Sequence, residues 1–586
     1  PMPIGASIAM LLSLFVALTV TPYLGYHLLQ EKETQEHKKE QGLETSWIYK
    51  IYNKLERPLL ESSKKRRLLV GLTVLLLVGS VVMFFTQSVV VKMLPFDNKN
   101  EFQIVIDMPE GTTLERTAAV TQEIAQYLTT IPEVVDYQNY IGTSAPITFN
   151  GLVRHYDLRG GSNMADIQVN LLHKEDRDLQ SHGIAKMVRP EIQKIARKYG
   201  ANVKVIEVPP GPPVLSTLVA EIYGPNYKEQ IKVANQVKGI LETTSDIVDV
   251  DWMTEDDQTE YKLEVDKEKA MLNGIAPQQI VGNLTYLLKE YPVSNLYDEN
   301  ANDNVAIVLS LDDKDKTTLQ DIENLKIKGS HGNVVPVADL VKVVTDTLQK
   351  TIYRKDQKRV VYVTADMAGA LESPVYAILG MNEKLQKMKL PKGYKVNELY
   401  MEQPTDESDF TVKWDGEWQI TLEVFRDLGV AFMVVIVIIY MLIVGWFQNF
   451  KTPMVMMMAI PLSLIGIVFG HWLLGAFFTA TSFIGMIALA GVMVRNSVLL
   501  IDFIEIRLNE GVPLKQAIIE AGAVRTTPIL LTTGAVVIGA SIILFDPIFQ
   551  GLAISLVFGA IVSTILTLLV VPIIYYVTER KKWEKQ

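Results

Sequence analysis

The chain has 586 residues, 48% hydrophobic and 21% charged, with a formal net charge of −10 and no cysteine. The missing thiol excludes disulfides, Cys-ligated zinc and thiol catalysis, and the acidic balance argues against nucleic acid as a partner. Polarity is segregated: apolar residues crowd both ends, and charge collects between Asp97 and Asp427 and in the stretch 30–67.

A membrane span takes about 20 mainly apolar residues. Seven segments qualify, at 4–29, 68–86, 428–447, 453–474, 482–504, 527–545 and 548–577. The first lacks a basic leader and a small-residue cleavage site, so it reads as a span rather than a signal peptide. A chain opening on Pro1 inside a helical pattern reads as a piece of a longer one. In the 30–67 linker, Trp47, Ile48, Ile51, Tyr52 and Leu55 recur at helical spacing and predict an amphipathic helix on the inner leaflet. Alternating passes put the basic residues of that linker, Lys451, the Arg507–Arg525 loop and the Arg580-Lys-Lys582 tail on one side. The positive-inside rule makes that side cytoplasmic. The large segment 89–426 then lies outside the cytoplasm.

That external segment repeats strand, helix, strand. Strands are predicted at 101–108, 134–140, 166–172 and 202–207, with helices at 113–130 and 183–199. After the Pro-rich stretch 208–213, a second set follows at 219–223, 227–243 and 247–252. Its partner set comes only at 360–365, 375–389 and 395–400, beyond an insertion at about 259–355. Two βαβ units make a split ferredoxin-like layer. The expected fold class is therefore an α+β membrane protein: a seven-helix bundle carrying two such modules, the second interrupted by an extra domain.

Arg495 lies inside the apolar run 482–504. A charge at bilayer depth costs about 2.5–3.5 kcal/mol on insertion scales and is kept where it faces a bundle interior or a water-filled cavity. Arg495 therefore marks an ion or proton pathway, or a lock between two helices through a buried counter-charge. Met454, Met456, Met457 and Met458 occupy near-consecutive positions of one span, so they point in different directions and read as lipid-facing filler rather than a copper site. His471 reads as interfacial near the outer face. No zinc, phosphate-loop or nucleophile-triad spacing stands out, so neither an enzyme nor a cofactor is expected.

Several motifs together resemble one family. They are Leu18-Thr-Val-Thr-Pro22, Met108-Pro-Glu-Gly-Thr112, Val265-Asp-Lys-Glu-Lys-Ala270 with Gly274-Ile275, Gly491-Val-Met-Val-Arg-Asn-Ser-Val-Leu-Leu-Ile-Asp502 and Arg525-Thr-Thr-Pro-Ile-Leu-Leu-Thr532. In this order, around one large external segment, they resemble the C-terminal half of a resistance–nodulation–division (RND) efflux transporter of the acriflavine-resistance, multidrug type. The resemblance implies a homotrimer in a bacterial inner membrane, driven by protons. It also implies a periplasmic adaptor protein and an outer-membrane channel as partners, with small amphiphilic compounds as substrates.

On that frame, residues 1–29 and 68–88 are transmembrane helices joined by the cytoplasmic linker 30–67. Residues 89–213 form a first porter subdomain, and 214–257 with 357–403 a second. The docking subdomain is 258–356, a connector 404–427, the five-helix region 428–577 and a cytoplasmic tail 578–586. A heavy-metal or lipid exporter of the superfamily and a protein-translocation accessory remain as alternatives; the docking-type insertion argues against the accessory.

Arg495 stands where the family carries a lysine facing two carboxylates on another span. An arginine stays charged, so it acts as a fixed counter-charge that depresses carboxylate pKa values rather than as a proton carrier. Asn496 matches the family pattern and could hydrogen-bond those carboxylates. Thr532 matches a relay threonine, its alternative being a hydroxyl bonded back along its own helix. Asp502 is an inner gate acid or a hydrated interfacial acid, and Arg525 an aid to proton exit or a membrane anchor. For substrates, the family's flexible loop maps to 142–159, where Phe149, Asn150 and Gly151 suit a mobile aromatic wiper or a surface turn.

Overall fold

The computed structural model describes residues 2–28, 46–146, 149–208, 211–289, 291–390 and 393–583. The chain opens with α1 (Met2–Leu28), then α2 (Trp47–Glu61) and α3 (Ser63–Phe85). Apolar side chains of α1, such as Met10 and Leu18, stay exposed among the described residues. The predicted amphipathic helix is α2, but its two apolar faces divide. Tyr49, Tyr52 and Leu60 are buried against the bundle, whereas Trp47, Ile51 and Leu55 remain exposed on the other side. The linker basics Lys32, Lys38 and Lys39 lie outside the described residues.

The first external module runs β1 (Glu101–Asp107), α4 (Leu114–Leu128), β2 (Val134–Thr143), α5 (Phe149–Arg154), β3 (Gly160–Leu171), α6 (Ser181–Tyr199) and β4 (Asn202–Ile206). Its sheet order is β2-β3-β1-β4, all antiparallel. Register sets Ile104 of β1 opposite Ile167 of β3 and Val205 of β4. Val120, Ile124 and Leu128 of α4 and Ile184, Val188 and Ile192 of α6 recur every four residues, so each helix presents one stripe to that sheet. All are buried, each worth about 1.5–3 kcal/mol.

The second module begins with β5 (Leu218–Tyr223), α7 (Tyr227–Glu242) and β6 (Ile247–Trp252). An insertion follows: β7 (Thr259–Val265), α8 (Lys267–Leu272), α9 (Pro277–Leu288), β8 (Tyr291–Leu296), β9 (Val305–Leu309), α10 (Leu319–Glu323), β10 (Lys326–Lys328), β11 (Val334–Pro336), α11 (Val337–Leu340) and β12 (Val341–Thr347). It has its own small core around Ile280, Ile327, Val337 and Leu340. The β8–β9 hairpin is exposed on both faces. The module resumes with β13 (Tyr353–Lys355), β14 (Lys358–Met367), α12 (Pro374–Gln386), β15 (Asn397–Leu399) and β16 (Thr411–Gly416).

β16 falls where the sequence suggested a connector, 404–427. It pairs antiparallel with β5 and separates β15 from the centre of the sheet. Phe410, Val412 and Trp414 alternate inward and are buried. Between them Lys413, also fully buried, meets Glu221 at 3.7 Å and Asp415 at 3.2 Å. That charge hides a core strand from a hydropathy reading.

The remaining helices are α13 (Glu417–Phe447), α14 (Lys451–Met457), α15 (Ala459–Leu474), α16 (Ala480–Asn509), α17 (Leu514–Ser541) and α18 (Gln550–Trp583). Among the described residues, seven stretches are long and apolar enough to cross a membrane, α14 and α15 together forming one. α13 starts at Glu417, eleven residues before the expected span, because its first turn belongs to the second module. Trp418 is buried there and donates its indole N–H to the Tyr400 carbonyl at 2.9 Å. α17 likewise starts at Leu514 rather than near 527, which places Arg525 and Pro528 inside one helix.

Glycines let these helices approach closely, as in membrane bundles generally. A Cβ on Gly466 of α15 would lie 2.4 Å from the Phe558 carbonyl oxygen of α18, and one on Gly559 would lie 2.4 Å from Leu489 of α16.

A backbone seam joins bundle and external modules. Phe478 N–H donates to the Val90 carbonyl (2.8 Å), Lys92 N–H to Phe478 (3.1 Å) and Ala480 N–H to Met93 (3.0 Å). Ser373 Oγ, from the second module, donates to the Val91 carbonyl at 2.7 Å.

Gly466→Ala should push α15 and α18 apart and lower stability by about 1–3 kcal/mol, the cost of overpacking a tight interface. Thermal unfolding in detergent measures it, and an unchanged midpoint would contradict the packing described.

Candidate functional site

The sequence directs attention first to α16. A reciprocal Thr479–Ser482 capping box starts this helix. Leu489, Met493, Asn496, Leu500 and Ile504 then form the face buried against neighbouring helices. Arg495 projects off that face. It is exposed, and it makes no ion pair among the described residues. The described helices simply cover one side of α16. Asn496 is fully buried, yet among the described residues neither its amide oxygen nor its amide nitrogen has a hydrogen-bond partner.

The other predicted relay residues do not gather around Arg495. Asp502 is half-buried and about 10.5 Å further along the helix axis. Thr532 Oγ1 donates back to the Ile529 carbonyl of its own helix at 3.0 Å. The hydroxyl contact between α17 and α18 is made by its neighbour: Thr533 and Thr564 meet at 3.0 Å, both buried. Arg525 stacks its guanidinium 4.9 Å over the Phe503 ring, tying α17 to α16 with no carboxylate.

A polar cluster at the end of the bundle that meets the external modules escaped the sequence reading. His471 is fully buried rather than interfacial. Its Nδ1 lies 2.8 Å from the Ile467 carbonyl, and its Nε2 lies 2.8 Å from Ser482 Oγ. Ser555 Oγ donates to the Ser482 carbonyl at 3.0 Å, so α15, α16 and α18 meet there. The signal was the Thr479-Ala-Thr-Ser482 run shortly after a histidine in an otherwise apolar span.

The external modules line an open cleft of about 1060 Å³. The 142–159 segment contributes Arg154, Tyr156 and Arg159 to its wall, facing Trp252, Met253, Tyr353 and Tyr362 of the second module. Phe149–Arg154 forms the short helix α5, and Gly151 is buried rather than lining the cavity. The side chains of Phe149 and Asn150 lie outside the described residues.

Buried ion pairs join the two modules around this cavity. Arg154 Nη1 meets Asp366 Oδ2 at 2.7 Å, and Asp366 Oδ1 accepts from Ser216 Oγ and Thr217 Oγ1, both at 2.9 Å. Burial would raise the Asp366 pKa, but the Arg154 guanidinium and the Thr217 bonds hold it well below the usual carboxylate range. Removing one partner of such a pair strands a charge, at a cost of about 3–5 kcal/mol. Lys204 of β4 likewise bridges Asp107, at 2.8 Å, and Asp251 of β6.

His182 of α6 forms a third tie. Its ring nitrogens lie 2.7 Å from Glu207 and 3.0 Å from Glu372 of the second module. Phe96 stacks on the imidazole, and Lys92 of the seam meets Glu372 at 3.5 Å. Burial disfavours the imidazolium, but the bonds to both carboxylates outweigh it and raise the pKa to about 9.

Among the described residues, no three His, Asp or Glu side chains come close enough to hold a metal ion. The methionines of the 451–474 span diverge: Met456 is fully buried while Met454 and Met458 are exposed.

Residues 1–579 match the model of the AcrB/AcrD/AcrF family. The chain belongs to that family. Its relatives in the family include the swarming motility protein SwrC of Bacillus subtilis, 24% identical across the full chain and 52% of SwrC. A Haemophilus influenzae transporter is 22% identical over 98% of the chain and 53% of its own length. The fold is similar to two crystal structures of a heavy metal efflux pump, each at a TM-score of 0.74, with 20% and 21% identity. Each match covers 91% of this chain and 52% of the pump. The chain thus spans about half the length of the relatives it matches. The AcrB/AcrD/AcrF proteins are RND transporters rather than enzymes.

His182 carries a raised pKa, so it stabilises the joined modules fully below about pH 6.5 and loses that contribution as pH rises through about 9. The loss should reach at most about 3 kcal/mol. Unfolding midpoints measured from pH 6 to 10 should show it in the wild type and not in His182→Gln; parallel profiles would refute it.

Proposed function

We propose that this chain supplies the C-terminal half of a proton-motive-force-driven exporter of small amphiphilic compounds across a bacterial inner membrane. The observation that carries this reading is Arg495 beside Asn496. A fixed cation stands in an apolar span, in no ion pair among the described residues, next to a buried amide whose two polar atoms find no partner there. Such a pair suits carboxylates that arrive on another helix and exchange protons against it. Moving one charge through 100 mV is worth about 2.3 kcal/mol, which matches the coupling energies that shift conformations. Asp502, Thr532 and Arg525 then serve the proton path's inner end and walls.

The cavity chemistry supports an amphiphilic substrate, since Tyr156, Trp252, Tyr353 and Tyr362 share its wall with charged groups. A second reading, export of a soft metal cation, draws on the heavy metal pump of similar fold. It also draws on Met108, Met164 and Met253 lining the cavity, because thioethers suit soft cations such as Cu(I). The partners in the leading reading are two further copies in a homotrimer, a periplasmic adaptor and an outer-membrane channel. The β8–β9 hairpin supports assembly: Val293, Leu296, Tyr297 and Ile307 are all exposed on it, an apolar projection that suits a neighbouring subunit.

Arg495→Ala in the whole transporter should abolish export while leaving expression and assembly intact, and Arg495→Lys should retain part of it. Cell survival with amphiphilic dyes in one arm and Cu(I) in the other separates the two substrate readings; normal export of both by Arg495→Ala removes the relay role. Replacing residues 293–308 by a short Gly-Ser turn should convert the oligomer to monomers in native mass spectrometry. An unchanged oligomer would remove the hairpin's role.

A further inference from the structure

α2 is the short helix on the cytoplasmic side in the proposed orientation. Its buried face reads Tyr49, Tyr52, Glu56 and Leu60. Three of these are expected on such a face, and Glu56 is not. Its side chain is fully buried, and among the described residues neither carboxyl oxygen has a hydrogen-bond donor. Asn53 Oδ1, one turn earlier, is also buried without a donor.

The seat is tightly closed. Tyr52 OH donates to the Leu568 carbonyl of α18 at 2.7 Å, and its ring lies where a Cβ on Gly522 of α17 would be, 2.1 Å away. Tyr49, Tyr52 and Leu60 belong to the same apolar cluster as Leu514, Ala517, Ile518 and Ala521 of α17.

Several charged and titratable groups on the packing elements are engaged elsewhere. On α3, Arg66 donates to the Leu60 carbonyl at 2.7 Å and lies over the Tyr576 ring. On α17, Lys515 lies over Tyr576, Glu520 receives Arg507, and Arg525 lies over Phe503 with its Nε buried and unpaired. On α18, Tyr575 OH donates to Glu505 at 3.4 Å, and Glu579 is buried. None of them reaches a Glu56 oxygen.

A buried carboxylate with neither donor nor counter-charge is too costly to keep ionised; it takes up a proton instead. We infer that Glu56 is a proton-binding site that couples the seating of α2 on the bundle to cytoplasmic pH. The ligand is the proton itself, bound when α2 is seated and released when it lifts. Burial raises the Glu56 pKa to about 8, from an ordinary value of 4.5. The seated form therefore holds the extra proton, and seating weakens as pH rises from about 4.5 through about 8. Within that window the seating constant should fall about tenfold per pH unit. This inference rests on the burial of α2 and is independent of the export reading.

The test uses the whole protein in lipid nanodiscs. Amide hydrogen exchange across residues 47–61, normalised for intrinsic rates, should lose protection steeply from pH 6 to 8 in the wild type. In Glu56→Gln and Glu56→Leu it should stay flat, with protection at pH 8 above wild type, since both replacements remove the ionisable group. Infrared difference spectra should show a protonated carboxylic acid at neutral pH that vanishes in Glu56→Gln. A wild-type pH profile in either variant, loss of α2 protection at pH 6 in both, or a wild-type infrared spectrum without that band would overturn the proposal.

Discussion

Backbone leaving an apolar layer must find partners for its amides and carbonyls, and the chain meets that constraint at 89–93. The stretch bonds to the 478–480 turn that begins α16 and, through Ser373, to the second module. One short extended segment thus bonds much of its own backbone and fastens the Arg495 helix to the external modules. The adjoining His182–Glu372–Lys92 cluster fixes the first module to the same place. Motion at the outer end of α16 is therefore felt by both modules.

The interface between those modules is ionic rather than greasy. Arg154 with Asp366, Lys204 with Asp107 and Asp251, and Arg189 with Asp249 all cross or border it. Such pairs contribute little net stability against an apolar alternative, but they tolerate only narrow geometries. An interface of this kind suits two bodies that meet in a defined pose around a cavity.

The spans and the two strand–helix series were legible because hydropathy windows and period-two alternation report them directly. The finer errors have physical causes. β16 was missed because Lys413 interrupts its apolar alternation, and its partner Glu221 lies far upstream. The start of α13 was placed too late because its first turn packs on the second module instead of lipid. Arg495 was recognisable as a buried-type charge, but no pattern within one helix says which side its neighbours cover. Thr532 and Thr533 show the same limit: adjacent hydroxyls, one bonded to its own helix and one to the next. Glu56 was invisible because helical periodicity expects apolar residues on a packed face.

α13 runs unbroken for 31 residues from the buried Trp418 to Phe447, a rod of about 46 Å at 1.5 Å per residue. Because its first turn is wedged into the second module, it behaves as a lever arm. Leaning it by about 5° about its inner end swings the outer tip through about 4 Å at that length. That displacement exceeds the 2.7 Å separation of Arg154 from Asp366, the pair that joins the first module to the second, so a slight lean of one helix would be enough to part them.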